Sequence, residues 1–207
     1  MAAMIEVRFH GRGGQGTVVA SILMAKAFFQ AGYFVQSFPL FGVERRGAPV
    51  EAYLRLSTSK IFIRTNVYTP DHVVVLDPSL ITAVDVTRGL KPGGWMLINA
   101  PDGMKMPASF AAFSVATVDA TRIALKHSLG TRTHPIVNTA MMGAFARVLG
   151  MPPLEAVLHA IQEEIPIKPE NNMAAAREAF DAVIFAESSP SRKGFSESVG
   201  TSSSAVS

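Results

Sequence analysis

The stretch RFHGRGGQGTVVA, residues 8–20, contains a glycine-rich loop of the kind that binds phosphate groups. Its glycines satisfy the G-x-G-x-x-G spacing, between the strand-like MIEVRF and the helix-like TVVASILMAKAFFQAG. A helix N-terminus presents unpaired N–H groups and a partial positive charge, so glycines there let a pyrophosphate approach the backbone. A tight turn without a ligand is the alternative. The predicted ligand-binding residues of this loop are Gly11, Arg12, Gly13, Gly14, Gln15, Gly16 and Thr17.

A nicotinamide or flavin site would require a second group, an acidic residue about 20 residues beyond the loop that holds the ribose hydroxyls. The second predicted strand, YFVQSF, carries Gln36 and Ser37 at that position. The sequence therefore disfavours a free-standing dinucleotide-binding dehydrogenase, which stays open as an alternative.

A second loop, PLFGVERRGAP at residues 39–49, is also rich in glycine and arginine. A guanidinium offers a rigid fork of donors to phosphate or carboxylate, so Arg45, Arg46 and Gly47 are predicted to bind an anion. A solvated turn is the alternative. Because the two loops follow successive predicted strands, we expect them at one edge of the sheet, around a shared anionic ligand.

The hydrophobic periodicity predicts strands that alternate with helices and then give way to helices over residues 136–186. PVEAYLRLS and KIFIRT are predicted to form a hairpin across the STS turn, which breaks the alternation. The first helix, residues 17–31, is predicted to present an apolar face of Val18, Ile22, Ala25 and Phe29. We therefore predict an α/β fold of three layers with a mixed β-sheet, a Rossmann-like first strand–loop–helix unit and a helical C-terminal third.

The chain is predicted to form one domain over residues 1–187, followed by a flexible tail at residues 188–207. The tail is rich in serine and nearly devoid of large apolar residues, so it cannot offset its ordering entropy by burial. The 207 residues carry a net charge of +3 without a long basic run, which disfavours nucleic acid as a partner. A signal peptide and a membrane-spanning run are not apparent, so we expect a cytoplasmic protein without membrane insertion.

Few other residues suggest chemistry. The absence of cysteine excludes a cysteine nucleophile and any iron–sulfur cluster held by this chain alone. The five histidines show no metal-ligand spacing, so we predict neither a metal site nor a catalytic residue. Asp77 ends a buried strand and is expected to cap the next helix, with a catalytic role as the alternative. Asn138 and Arg132 are expected to have a capping role, with a polar contact to a ligand as the alternative.

Three blocks of the sequence are similar to successive blocks of one known family. MIEVRFHGRGGQGTVVAS, FPLFGVERRGAPVEAYLRLS and IRTNVYTPDHVVVLDPSL resemble the gamma subunit, or gamma domain, of the 2-oxoacid:acceptor oxidoreductases, such as pyruvate:ferredoxin oxidoreductase. The resemblance covers about residues 4–186 and leaves out the serine-rich tail.

The resemblance implies an accessory subunit rather than a complete enzyme. In this family, thiamine diphosphate lies between the alpha and beta parts, and a delta-type part carries iron–sulfur clusters. The gamma part packs beside them and is implicated in handling coenzyme A. The implied reaction converts a 2-oxoacid and coenzyme A to acyl-coenzyme A and CO2, with ferredoxin or an NAD-linked flavoprotein subunit as acceptor.

These implications set the expected division of labour. We expect this chain to hold no cofactor alone, to be inactive in isolation and to help form the coenzyme A site beside alpha, beta and delta-type subunits. It has no recognisable GDG thiamine motif. Pyruvate is the default 2-oxoacid, and aryl 2-oxoacids remain possible substrates. A purely structural assembly subunit with an empty glycine loop is the main alternative.

Overall fold

The structure, a computed structural model, describes residues 4–40 and 47–186. The predicted boundary at residue 187 and the predicted tail fall outside this part of the chain and remain predictions. The strands are β1 Met4–Arg12, β2 Phe34–Pro39, β3 Pro49–Ser57, β4 His72–Val75, β5 Trp95–Asn99, β6 Ser114–Val118, β7 Gly130–Thr131, β8 His134–Pro135 and β9 Ile184–Phe185. The helices are α1 Thr17–Gln30, α2 Leu80–Ala83, α3 Ala120–Lys126, α4 Asn138–Leu149, α5 Leu154–Glu164 and α6 Pro169–Asp181, with a 3₁₀ helix at Ala108–Ala112.

The main sheet of the described chain has seven strands in the order β2-β3-β1-β4-β5-β6-β9. β1, β4, β5 and β6 run parallel, whereas β3 is antiparallel to both β1 and β2, and β9 is antiparallel to β6. The predicted mixed sheet and the predicted helical C-terminal third are confirmed, with the short strand β9 added at the end. None of the helices in the described ranges has the length and apolar character that crossing a bilayer requires.

The two faces of the sheet are covered differently. Alternate residues of β1 and β3, such as Val7 and Leu54, share one core with α1 and with the C-terminal helices α4, α5 and α6. On the other face, Val73, Val75 and Ile98 form a second core with Leu80 of α2 and with the 3₁₀ helix. We call these the helical face and the opposite face. Because these parallel strands are covered on both faces, their residues are apolar at successive positions, which explains the continuous apolar runs in the sequence.

The predicted hairpin between residues 49–57 and 60–65 is wrong. Both edges of β3 are already paired, because Ser57 lies opposite Met4 of β1 on one side and Phe34 of β2 on the other. Residues 60–65 form no strand and instead lie on the opposite face of the sheet. The sequence pattern identified β3 correctly and assigned it the wrong partner.

The predicted apolar face of α1 is wrong at two of its four positions, since Ala25 is buried and Val18 packs against the core of the helical face. Ile22 and Phe29 are 50% and 67% exposed. The helix is apolar on nearly every side, so spacing alone does not select the buried stripe. Tertiary packing selects it, as shown by Phe28, whose ring packs edge-on against Tyr33 and Phe145. The fully buried apolar residues of α1 are Ala20, Leu23, Met24, Ala27 and Phe28.

Candidate anion-binding site

The glycine loop connects the carboxyl end of β1, a central strand, to the first residue of α1. Gly14 and Gly16 have φ angles of 94° and 78°, a region that glycine enters without steric cost. Position 11 requires glycine for another reason, since a Cβ there would overlap the hydroxyl of Thr17. The loop therefore brings β1 and α1 as close as a phosphate-binding turn requires.

The N-terminus of a second helix meets the loop. A Cβ built on Gly16 would lie 2.7 Å from Nδ2 of Asn138, the first residue of α4. The backbone N–H groups that open α1, those of Thr17, Val18 and Val19, have no acceptor within the described ranges. Two helix N-termini thus converge at Gly16, and both carry partial positive charge.

Thr17 adds a polar group to this junction. Its side chain is buried, and its hydroxyl oxygen has no hydrogen-bond partner in the part of the chain that the structure describes. A buried hydroxyl without a partner costs free energy, on the order of 1–3 kcal/mol. The convergence of free amides and a free hydroxyl fits a site that receives an acceptor-rich ligand.

The second predicted loop reaches the first where it is described. The N–H of Gly13 donates to the carbonyl of Ala48 at 2.9 Å, and the N–H of Gly47 donates to the carbonyl of Gly13 at 3.1 Å. Gly47 therefore lies beside the glycine loop, as the shared-edge prediction requires. Arg45 and Arg46 fall outside the described residues, so their part in the site remains a prediction.

Arg12 ties the loop to its surroundings. Its Nη1 donates to the carbonyl of Gly47 at 2.9 Å, its Nη2 to Oγ of Ser79 at 2.7 Å, and its Nε lies 3.3 Å from Oδ2 of Asp77. Gln15 completes the link, because its side chain accepts from the N–H of Arg12 and donates to Asp77. Asp77 therefore balances the charge that Arg12 brings to the loop.

The environment of Asp77 keeps its carboxylate ionised. Burial alone would raise the pKa of Asp77, but hydrogen bonds from Ser79 and Gln15 and the charge of Arg12 outweigh burial and lower the pKa. Asp77 also accepts from the N–H of Ser79 at 2.9 Å, in the turn that leads into α2, whose N-cap residue is Ser79. The carboxylate therefore stays charged beside Arg12.

Gln36, which stands where a ribose-binding carboxylate would be required, lies away from the loop. β3 separates its strand, β2, from β1. Its amide group contacts Nη1 of Arg55 and the carbonyl of Ile61, on the opposite face of the sheet. The position that reads the ribose in a dinucleotide site is therefore not available next to this loop.

The described residues offer binding groups rather than reactive ones. No cluster of histidine, aspartate and glutamate suited to a metal occurs among them. Burial, with the neighbouring charge of Arg8, lowers the pKa of His10 to about 4, so this imidazole is neutral near pH 7. Among the described residues, the groups free to bind an anion are the amides at the start of α1 and the hydroxyl of Thr17.

Sequence reasoning missed two contributors, Ser79 and Ala48. The Asp-Pro-Ser sequence after β4 carries a signal for Ser79, because an aspartate two residues ahead commonly forms such a turn. Ala48 contributes only a backbone carbonyl, which no side-chain pattern reveals. Asn138 is placed beside the loop, whereas Arg132 lies exposed between β7 and β8.

Comparison with known proteins agrees with this architecture. The family described as "Pyruvate ferredoxin/flavodoxin oxidoreductase" matches residues 6–182. The "Pyruvate/ketoisovalerate oxidoreductases common subunit gamma" of Thermococcus kodakarensis is 48% identical in an alignment 193 residues long, which covers 89% of this chain and 100% of the relative.

Two solved structures share the fold. Pyruvate oxidoreductase subunit PORC from Thermotoga maritima is 34% identical with a TM-score of 0.74, over 89% of this chain and 99% of that chain. The 2-oxoglutarate:ferredoxin oxidoreductase of Magnetococcus marinus is 21% identical with a TM-score of 0.68, over 86% of this chain and 30% of that larger chain. The chain belongs to the pyruvate ferredoxin/flavodoxin oxidoreductase family, as a gamma subunit of the 2-oxoacid:acceptor oxidoreductases.

Proposed function

We propose that this chain is the gamma subunit of a cytoplasmic complex that oxidises pyruvate or a related 2-oxoacid, and that its glycine loop forms part of the coenzyme A site. The observation that carries the proposal is the convergence of the α1 and α4 N-termini at Gly16, with free amides and the buried hydroxyl of Thr17. These groups are donors, and phosphate oxygens are acceptors.

Coenzyme A matches two neighbouring features better than NAD does. It carries a pyrophosphate and a ribose 3′-phosphate, so it offers two separate anionic regions. The helix N-termini at Gly16 suit one region, and the arginine loop that ends at Gly47 suits the other. NAD has only the pyrophosphate and needs a ribose-binding carboxylate, whereas Gln36 contacts Arg55 on the opposite face.

The names of relatives support the same assignment. The Thermococcus relative is named for pyruvate and ketoisovalerate oxidoreductases, which favours these 2-oxoacids as substrates of the complex. The Magnetococcus structure, which shares the fold, contains coenzyme A and succinyl-coenzyme A. On this proposal, partner subunits of the alpha, beta and delta types hold thiamine diphosphate and the iron–sulfur clusters, and ferredoxin or an NAD-linked flavoprotein takes the electrons.

Within the complex, this chain would bind and orient coenzyme A rather than react with it. The backbone N–H groups at the start of α1 would donate to phosphate oxygens, and the hydroxyl of Thr17 would donate to the same phosphate. Arg12 holds Gly47 and Asp77 in place, so it fixes the spacing of the two loops. The ionised Asp77 keeps Arg12 oriented.

The test is Arg46→Ala in the assembled complex, with the Michaelis constant for coenzyme A as readout. Loss of one charge-assisted hydrogen bond, about 1.5–3 kcal/mol, should raise this constant roughly tenfold or more. The half-reaction with the 2-oxoacid alone should stay nearly intact. Arg177→Ala is the matched control, because Arg177 is an exposed arginine on α6, away from the loop.

The result separates a ligand-binding role from a packing role. An unchanged dependence on coenzyme A in a correctly assembled Arg46→Ala complex would assign the arginine loop to subunit packing. A complex that fails to assemble would point to the same conclusion.

A further inference from the structure

Residues 60–69, which follow β3, form an irregular segment on the opposite face of the sheet. We call it the 60–69 segment. It contains no helix or strand, yet it is held at several points along its length. Val67, within the segment, is buried, and the carbonyl of Ile61 accepts from the side chain of Gln36 at 3.3 Å. An irregular segment fixed in this way keeps one shape.

The strongest anchor is Arg55 of β3, whose side chain is 1% exposed. Its Nη2 donates to the carbonyls of Thr65 and Asn66 at 2.7 and 3.3 Å, while its Nε donates to Glu6 at 2.8 Å. Burial of a guanidinium is costly unless its donors are satisfied, and here two of its acceptors belong to the segment. The fold thus uses a buried cation to fix a surface segment.

A glycine provides another anchor. Gly89, with φ of +72°, lies so close to Tyr68 that a Cβ would overlap the Tyr68 carbonyl oxygen. The backbone of Tyr68 is therefore pressed against a neighbouring turn while its side chain points elsewhere. A glycine in a left-handed conformation at a close backbone approach is a specific local arrangement.

The side chains that this anchored backbone presents are apolar and aromatic. Phe62 is 84% exposed and Tyr68 is 71% exposed, and Ile63 between them is also exposed. Exposed aromatic residues on a fixed backbone are typical of protein interfaces, where aromatic side chains are enriched.

The charge on the segment is of one sign. Residues 58–70 contain Lys60 and Arg64 and no acidic residue. Neither cation has a carboxylate partner in the part of the chain that the structure describes. A complementary surface would therefore present an apolar hollow bordered by carboxylates.

We propose that the 60–69 segment is a docking surface for another subunit of the same oxidoreductase complex, one with an acidic border around an apolar hollow. The proposal rests on membership of a family whose relatives are named as subunits, and it does not require the glycine loop to bind coenzyme A. Phe62 and Tyr68 enter the hollow, and Lys60 and Arg64 face its carboxylates.

The test uses the complex produced by co-expression of its subunits, with this chain carrying Phe62→Ala and Tyr68→Ala together. The double variant should bind its partner subunits at least about 30-fold more weakly, because two central aromatic contacts are lost. Phe29→Ala is the matched control: Phe29 is 67% exposed, but it lies on α1, on the helical face. The control should leave the affinity unchanged.

A second variant tests the charge. Arg64→Glu should weaken partner binding about tenfold or more at low salt, and added salt should reduce the difference from wild type. The free chain should keep its melting temperature in all these variants, because the altered side chains are exposed.

The outcomes distinguish this proposal from others. Partner binding that is unchanged in the folded double variant would overturn it, as would loss of self-association of this chain instead of partner binding. Complexes that still form should show an unchanged Michaelis constant for coenzyme A, so a failure of the coenzyme A proposal would not affect this result.

Discussion

Replacing Arg55 by methionine should destabilise the chain more than any comparable change at an exposed arginine. Methionine fills a similar volume but provides no donor for Glu6, Thr65 or Asn66. Removing one partner of a buried ion pair typically costs about 3–5 kcal/mol. The side chain of Glu6 is 14% exposed, so water relieves part of the cost, and we expect about 3 kcal/mol.

The matched control is Arg177→Met on α6. Arg177 and its partner Glu155 are 58% and 76% exposed, with 3.7 Å between Nη1 and Oε1. Exposed pairs contribute roughly 0–1 kcal/mol, so this variant should stay within about 0.5 kcal/mol of wild type. Adding Glu6→Gln to Arg55→Met should recover part of the lost stability, because it removes the carboxylate that Arg55 leaves unpaired.

Urea denaturation gives the free energies of unfolding. The single tryptophan, Trp95, packs edge-on against Phe185, so its fluorescence reports loss of tertiary structure. The corresponding shift in melting temperature should be about 6–12 °C for a domain of this size. If Arg55→Met and Arg177→Met destabilise the chain equally, the buried arginine does not anchor the 60–69 segment as argued.

Three further predictions concern the site, the pH dependence and the activity. Gly16→Ala places a Cβ only 2.7 Å from Asn138 on a backbone in the left-handed region. It should lower stability by about 1–3 kcal/mol and raise the Michaelis constant for coenzyme A. Gly93→Ala is the control, because a Cβ at Gly93 would meet open space. His10 has a pKa of about 4 in the folded chain and 6.5 in the unfolded chain, so the unfolded state binds more protons. The free energy of unfolding should therefore fall as pH drops from 6.5 to 4. Denaturation at pH 7 and at pH 5 should show that His10→Gln loses about 2 kcal/mol less between these two values than wild type does. The isolated chain should show no 2-oxoacid oxidation and no visible absorption, and turnover without partner subunits would contradict the proposed function.

The sequence predicted the parts of the fold that depend on local pattern. The continuous aliphatic run of β4, the glycine loop between β1 and α1 and the helical C-terminal third all follow from periodicity and glycine placement. The hairpin failed for a non-local reason, because the partners of β3 come from segments on either side of it in the chain. A strand pattern shows where a strand is and does not specify its neighbour.

The site was predictable to a similar extent. Spacing identified the glycine loop, and the order of the strands placed Gly47 near it. The contact between Gly16 and Asn138 joins residues more than a hundred positions apart, so no motif reveals it. The ion pair between Arg12 and Asp77 could not be predicted either, because a sequence does not show whether the charge of an arginine in a glycine loop is neutralised by a carboxylate.

One topological feature bears on both the coenzyme A site that we propose and the dinucleotide site that we disfavour. In a dinucleotide-binding fold, the second strand lies directly beside the first, and its end brings a carboxylate to the ribose. Here β3 is inserted between β1 and β2, antiparallel to both. The insertion moves Gln36 away from the loop, and it also makes the chain enter β3 next to the end of β1. Gly47 and Ala48 therefore bind to Gly13, beside β1, where the second strand lies in a dinucleotide-binding fold.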